Sequence, residues 1–492
     1  MSAMNEATGP VLSDVEGPAE MAAPVSQARA EEEYSHHLLL DPRPQEEMNR
    51  MVLESLQRTG REYWIVVAVL AVMALGGFVG AWIYQIRWGM GVAGINRPNY
   101  WGVFIANFVF WVGISHSGTF VSAILRVLGA EFRRPITRAA EMMTTVSLLV
   151  AVSFLGIHVG RTWRGYWILP YPNQRGLWPN FRSPFLFDEI AIAAYLVGST
   201  LYLYLPLIPD LAMARDRTTG WRNRLYRAMA LGWRGTEVQW HNLQRAIAVF
   251  AFVIIPVMFS VHTIVAWDFA LTKVVGWHSS IFGPYFVTGA IFSGVSAVIN
   301  VLFIARSTMK LHYFIREEHF DALAKLMLVF SFVWTYFFFT DFFVEWYGGH
   351  KIGHQITAIQ TMGPMAPFFY AMLFFNIVVP CATLWSRRVR HSPVILFLIA
   401  LGVNVGMYLE RFIIVTGFLR RNDLPFNWGT YTPSPVEISI SLGSLAAFLL
   451  LYALLSRLFP IIPVWEVREG QLAHTLRRFG RAWVPTIAEL EE

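Results

Sequence analysis

From about residue 63 onward, the chain alternates apolar runs with short polar connections, and the apolar runs are too long for amphipathic stripes on a soluble core. About 20 apolar residues in helical conformation cross the hydrocarbon of a bilayer. The pattern predicts about ten transmembrane helices, near 63–86, 101–129, 139–160, 185–207, 245–268, 285–305, 321–346, 366–385, 393–418 and 437–457. Several carry internal polar residues and would escape a strict hydropathy filter.

A weak echo runs through the pattern. Ser117-Gly118 and the small residues after it in the second run resemble Ser293-Gly294 and their successors in the sixth, and Pro184-Phe185 opens the fourth run as Pro367-Phe368 opens the eighth. The fold class expected is therefore an all-α integral membrane protein with two four-helix bundles, spans 2–5 and 6–9, plus flanking helices. The corresponding division is a cytoplasmic amino-terminal extension (1–60), a first span and outer loop (61–100), a first bundle (101–268), a second bundle (269–420), and a tenth span with a cytoplasmic tail (421–492).

Composition sharpens this picture. Of 492 residues, 55% are hydrophobic and 15% charged, too little charge to cover a soluble domain of this length. The net charge of +6 does not signal nucleic acid, because the arginines fall in short connections between spans, where they set topology. Arg133, Arg134 and Arg138, six arginines from Arg215 to Arg234, then Arg306, Lys310 and Arg316, then Arg387, Arg388 and Arg390 mark alternate connections as cytoplasmic. An even number of spans puts both termini on that side, in a bacterial inner membrane. Residues 1–60 are acidic, rich in Pro, Ala and Glu and without an apolar segment, which predicts a partly disordered extension rather than a secretory signal.

One outer connection breaks the charge rule. Residues 161–184 carry four arginines, three tryptophans and four prolines. Such a composition favours a fixed loop, read either as a headgroup belt or as a lid over a site that docks an external subunit. Arg161, Arg164, Trp178 and Arg182 are its candidate pocket residues.

Ionisable groups within the spans are costly and mark function or pairing. They are His116, Glu141, His158, Asp188 with Glu189, His262, Asp268, Asp341, Glu345, and adjacent Glu410 and Arg411. Span 3 runs outward to His158 and span 4 runs inward from Asp188, so the two meet at similar depth beneath the lid. An imidazole and a carboxylate facing one pocket can each bind one hydroxyl of a quinol and accept its proton. The others are candidates for a proton path, and Asp341 and Glu345, four apart, share a helix face. Toward the cytoplasm the spans look poor in acids, with Glu141, Asn300 and Asn404 the candidates, which favours outward proton release over pumping.

The same residues count against rivals. A diheme cytochrome b needs four histidines in facing pairs, and only His116, His158 and His262 lie at useful depth. A retinal protein needs a mid-membrane lysine, whereas Lys273, Lys310, Lys325 and Lys351 sit in loops or at span ends. The lone Cys381 cannot hold an iron–sulfur cluster, so no heme, cluster or metal site is expected in this chain. A proton-coupled secondary transporter remains an alternative, although the spans lack paired mid-helix Gly/Pro breaks.

His158-Val-Gly-Arg161, Tyr166-Trp167, Pro170-Tyr171-Pro172-Asn173, the run Trp178-Pro-Asn-Phe-Arg-Ser-Pro184 and Asp188, with His262-Thr-Ile-Val-Ala-Trp-Asp268, resemble the NrfD/polysulfide-reductase membrane subunits. Within that family the closest resemblance is to the ActC type of bacterial alternative complex III. The resemblance implies a cofactor-free membrane subunit of a respiratory oxidoreductase that oxidises quinol, menaquinol being expected, near the outer face. Electrons would pass to an iron–sulfur subunit and a multiheme cytochrome c subunit. A paralogous NrfD-like subunit, other membrane subunits and a terminal oxidase complete the implied partners. His158 and Asp188 are the positions onto which the quinol site carries over, and a polysulfide-reductase-type subunit would share the same pocket.

Overall fold

The computed structural model describes residue 40 and residues 43–170, 181, 183–274, 276–277, 279–349, 351–420, 428–472, 475–479 and 482–486. Among them ten helices are long and apolar enough to cross a membrane: span 1, Arg61–Trp88; span 2, Val103–Val127; span 3, Thr137–Val159; span 4, Pro184–Asp216; span 5, Glu237–Ala270; span 6, Phe282–Thr308; span 7, Glu317–Gly348; span 8, Ala366–Thr383; span 9, Pro393–Arg420; span 10, Pro435–Leu458. The chain is a multi-pass membrane protein. The end of the molecule that carries residues 161–170 is called the lid end below, and the opposite end the arginine end.

Eight spans match the hydropathy pattern to within a few residues, whereas spans 4 and 5 run well past it at the arginine end. Span 4 continues through Pro206 and Pro209 to Asp216. Membrane helices tolerate proline where neighbours satisfy the disturbed backbone, and here Arg138 and Trp465 both donate to the Pro206 carbonyl, at 2.9 and 2.8 Å. Span 5 starts early because Thr236 and Gln239 form a reciprocal capping box ahead of the apolar run. Hydropathy is blind to such extensions, since a helix outside the hydrocarbon need not be apolar.

Spans 2, 3, 4 and 5 pack in sequence into one ring and spans 6, 7, 8 and 9 into another; spans 2 and 6 lie against each other where the rings meet. The apolar windows of those two helices are 89% and 83% buried against 61% or less elsewhere, which identifies them as the central pair. Span 10 packs along span 1 and covers span 3. The two small-residue runs meet at the centre: a Cβ on Gly294 would stand 2.6 Å from the Ser117 Cβ, and one on Gly113 would stand 3.4 Å from the Ser293 hydroxyl. Small residues let helices approach closely in lipid, where no hydrophobic drive separates helix from solvent.

Wide π-type turns interrupt span 1 at Met73–Gly80, span 2 at Phe120–Ile124, span 8 at Phe374–Val378 and span 9 at Ile413–Gly417. Span 1 belongs to neither ring, the other three turns fall at unmatched positions of the two rings, and every span continues through its turn as a helix. Two pieces outside the membrane were not expected from composition. Gln45–Gln57 is an amphipathic helix with Met48, Val52 and Leu56 buried, so part of the amino-terminal extension is ordered against the arginine end. After span 10, the short helix Val464–Leu472 is followed by two antiparallel strands, Thr475–Phe479 and Ala482–Thr486, a small exception to an otherwise all-α chain.

Candidate functional site at the lid end

Three helix ends converge under the lid. Span 3 stops at Gly160, whose positive φ (71°) turns the chain sharply, with the Arg161 N–H donating to the Val159 carbonyl at 2.8 Å. A Cβ there would also stand 2.5 Å from Met90, so the glycine lets the turn after span 1 pack against it. Gln85 of span 1 donates from its side-chain amide to the Ile157 carbonyl at 2.8 Å, fixing the turn that carries His158. Span 4 begins with Pro184 in its first turn, which leaves Asp188 one turn inside the helix. Span 5 brings Asp268 and Phe269 up at its end.

Between these ends lies a cavity of about 290 Å³. Its polar wall is His158, Asp188, Glu189 and Asp268; Trp101, Ile105, Phe108, Val109, Leu155, Val159, Phe185 and Phe269 supply the apolar wall, and Ile168 of the lid contributes to the roof. Trp101 stands edge-on to His158, to Phe185 and to Phe269, with ring centres 6.4, 5.9 and 5.3 Å apart. Nδ1 of His158 and one carboxylate oxygen each of Asp188 and Asp268 are buried with no hydrogen-bond partner among the described residues. Buried polar atoms in folded proteins are almost always bonded, so three such atoms around one cavity make it the candidate site for a polar molecule. The volume is near the lower bound, about 300 Å³, of small-molecule pockets, and the wall composition is theirs: mostly aromatic and aliphatic with a few convergent polar groups.

The structure thus brings His158, Asp188 and Asp268 together and adds Glu189. Arg161 and Arg164 are exposed on the lid, with the Arg164 guanidinium 4.9 Å over the Trp167 ring. Trp178 and Arg182 lie outside the described residues. His116 and His262 form a separate pair deeper in the first bundle, ring centres 4.6 Å apart. Both ring nitrogens of His116 face backbone carbonyls, Val112 at 2.8 Å and Met258 at 3.0 Å. Neither nitrogen of His262 has a hydrogen-bond partner among the described residues.

In the second bundle, Arg411 and Glu410 are an ion pair at 3.0 Å, and Trp334 donates to the other Glu410 oxygen at 3.0 Å. Asp341 accepts from the Ser279 hydroxyl at 2.7 Å. Asp341 and Glu410 line a second, far smaller cavity of about 20 Å³ with Tyr285 and Gln360, space for about one water. Glu345 stays half-buried near Gly353 of the lid-end helix Lys351–Thr361.

One expectation fails at the arginine end, which is not poor in acids. Arg138, fully buried, reaches Asp210 of span 4 at 3.2 Å and Glu141 at 3.8 Å. Glu466, on the helix after span 10, is also fully buried and pairs with Arg126 and Arg133, each at 3.1 Å. Asp210 escapes the hydropathy pattern because that pattern ends span 4 too soon. Glu466 escapes it because nothing in its surroundings in the sequence marks a buried carboxylate. Between the two ends, Tyr195 bridges Thr119 (2.8 Å) and the Ser115 carbonyl (3.2 Å), and Thr144 donates to that carbonyl at 2.6 Å, so hydroxyl groups run through the first bundle.

Comparison with known proteins gives the same footprint. The sequence profile of a family described as Polysulphide reductase, NrfD, matches residues 91–419. A Halobacterium salinarum protein, provisionally named as a membrane subunit of a dimethyl sulfoxide reductase, is 24% identical over 80% of this chain and 90% of its own length. The Hdr-like menaquinol oxidoreductase integral membrane subunit of Archaeoglobus fulgidus is 20% identical over 83% and 96%. A selenate reductase subunit of Mesobacillus selenatarsenatis is 20% identical over 80% and 93%.

Proposed function

The chain belongs to the NrfD polysulphide reductase family, and from that membership together with the lid-end cavity we infer that it is the quinol-oxidising membrane subunit of a respiratory oxidoreductase complex. The observation that carries the reading is the set of buried atoms on His158, Asp188 and Asp268 that have no partner among the described residues and surround one aromatic cavity. A menaquinol oxidoreductase subunit and two reductase subunits among its relatives agree with it.

In this reading the quinol ring lies against the aromatic wall beside Trp101. One hydroxyl is held by His158 and the other by Asp188. Oxidation removes two electrons and two protons: His158 and Asp188 accept the protons, and the electrons leave to an iron–sulfur cluster on a partner subunit docked over the lid. General-base assistance of this kind is effective when the base lies within hydrogen-bond reach of the proton it takes. Asp268 and Glu189, on the same cavity, are the next proton acceptors. His262, His116, Arg411, Glu410 and Asp341 extend polar groups toward the second bundle, and the Glu141–Arg138–Asp210 cluster supplies acids at the arginine end. With the lid end outside, the arginine-rich connections are cytoplasmic, as the positive-inside rule requires. A multiheme cytochrome c subunit and a second NrfD-like subunit are the further partners proposed, as in alternative complex III.

A photoreactive azido-quinone added to membranes that contain the assembled complex should label peptides from the lid-end halves of spans 2, 3, 4 and 5, and excess quinol should suppress the label. Labelling confined to the lipid-facing side of the molecule or to another subunit would count against this cavity as the quinol site.

The lid gives a second test. Changing Arg161 and Arg164 together to Gln should weaken retention of the outer subunit or raise the KM for quinol, with a smaller effect from Arg420 and Arg421 changed in the same way. By sequence both pairs belong to outer connections, and the first follows His158 directly. Equal effects would return the lid arginines to headgroup contacts, which membrane proteins commonly make.

A further inference from the structure

Trp277 lies in the connection between the two bundles, between spans 5 and 6, yet it is fully buried. Its ring stacks on Trp101 with centres 5.1 Å apart and planes 27° apart, and it meets Phe269 edge-on at 5.0 Å. Trp101 and Phe269 are walls of the lid-end cavity. On its other side Trp277 donates its indole N–H to the Ile414 carbonyl at 2.8 Å. Ile414 lies in the π-type turn of span 9 and lines the small cavity of the second bundle.

The residue before Trp277 fits the same contact. Gly276 is left-handed (φ 87°), and a Cβ there would stand 2.3 Å from the Phe418 ring. Two residues after Trp277, Ser279 donates to Asp341 of the second bundle. One connection therefore touches the wall of the first cavity with one side chain and a part-buried acid of the second bundle, Asp341, with another. Asp341 is faced by Glu345 from its own helix, by Tyr285 from span 6 and by Glu410 from span 9.

A buried tryptophan commonly fills space and finds one partner for its N–H. Space filling accounts for the stack on Trp101. It does not account for an acceptor on a π-type turn, a feature frequent at functional positions, or for the Ser279–Asp341 bond made by the same connection.

We propose that Trp277 and Ser279 are positioning residues that join the lid-end cavity to the second bundle, so that the seating of a quinol against Trp101 is passed through Trp277 and Ser279 to Asp341. The inference rests on the quinol reading of the cavity. Trp277 sets the position of the aromatic wall and so acts on binding. Ser279 sets the orientation of Asp341 and so acts on turnover.

The test uses membranes containing the complete complex, with kcat and KM for a soluble quinol measured separately and assembly checked on native gels. Trp277→Phe keeps the stack and removes the N–H, and should raise KM about 3–10-fold, the effect of one hydrogen bond. Ser279→Ala should lower kcat by a similar factor, about 3–10-fold, with KM unchanged, and Ser279→Thr should restore it. In kcat/KM the double variant should lose less than the product of the two single losses, because a displaced Trp277 already disturbs the connection that lets Ser279 orient Asp341. Should Trp277→Phe fail to assemble, the pair Ser279→Ala and Asp341→Asn reads the second-bundle half of the link, again with a double variant short of the product. With His158→Ala inactive, multiplicative effects, or no kcat loss in Ser279→Ala, would overturn the positioning role and leave the quinol site standing. Full turnover in both His158→Ala and Asp188→Asn would overturn the quinol reading and this inference with it.

Discussion

His158→Ala and Asp188→Asn are each expected to lower quinol oxidation by about 10²–10⁴-fold, the contribution of a positioned proton acceptor, while the complex still assembles. The two changes differ in kind. Asn keeps the size of Asp188 and can still bind a hydroxyl, but it is not basic, so kcat should fall with KM nearly unchanged; an interaction made mainly in the transition state behaves this way. Ala at His158 removes the ring and enlarges a cavity of about 290 Å³, so both parameters should worsen. Assembly should survive both changes because neither side chain carries the local structure: the turn bearing His158 is held by Gln85 through the Ile157 carbonyl, and Asp188 has an oxygen with no partner among the described residues, in a helix already started by Pro184. The measurement is turnover at saturating quinol with the complex quantified on native gels. Wild-type turnover in either variant removes that residue from the site.

How much of this is legible in the sequence depends on the range of the interaction. Spans can be read because lipid forces every backbone group to bond within a helix, and a run of about 20 apolar residues has few other ways to fold. His158 and Asp188 can be paired because they sit at the two ends of one outer connection between antiparallel spans, which gives them a similar depth. The Glu410–Arg411 ion pair is equally accessible, since the residues are adjacent. Asp268 can be seen as a buried acid, but its place on the same cavity depends on how span 5 packs against span 4, which periodicity does not encode. Trp277 gives no signal at all: it sits in a connection, and its partners Trp101 and Ile414 are remote in sequence. Asp210 is hidden by prolines that read as the end of its span. Residues 171–180 and 182, which hold much of the lid motif, lie outside the described residues; of residues 161–170, Ile168 lines the cavity.

Glu466→Gln is expected to destabilise the folded chain by about 3–5 kcal/mol, the cost of removing one partner from a buried ion pair. The carboxylate is fully buried on the helix after span 10, where Arg126 and Arg133 bond it and Arg134 donates to its backbone carbonyl at 3.1 Å. Burial alone would raise its proton affinity; the guanidinium groups of Arg126, Arg133, Arg138 and Arg134 more than reverse that and hold it at about 2, below its ordinary 4.5. Because the folded-state value is the lower one, the stabilisation is complete above about pH 4.5 and is lost as the pH falls toward 2. Glutamine keeps the shape but leaves the arginines facing one another without their counter-charge, and Arg126, Arg133 and Arg138 already have buried nitrogens with no partner among the described residues. The helix Val464–Leu472 should then loosen from the arginine end and expose the Arg138–Asp210–Glu141 cluster to water. Thermal unfolding in detergent at neutral pH should show a clear drop in midpoint, with early protease cleavage after span 10. The exposed pair Glu54–Arg58, 3.6 Å apart, is the control, and Glu54→Gln should cost about 1 kcal/mol or less. The two variants should converge as the pH is lowered, since the native Glu466 then loses its charge as well. Equal stability of the two at neutral pH would mean that water reaches Glu466 and that the post-span helix does not close this end of the bundle.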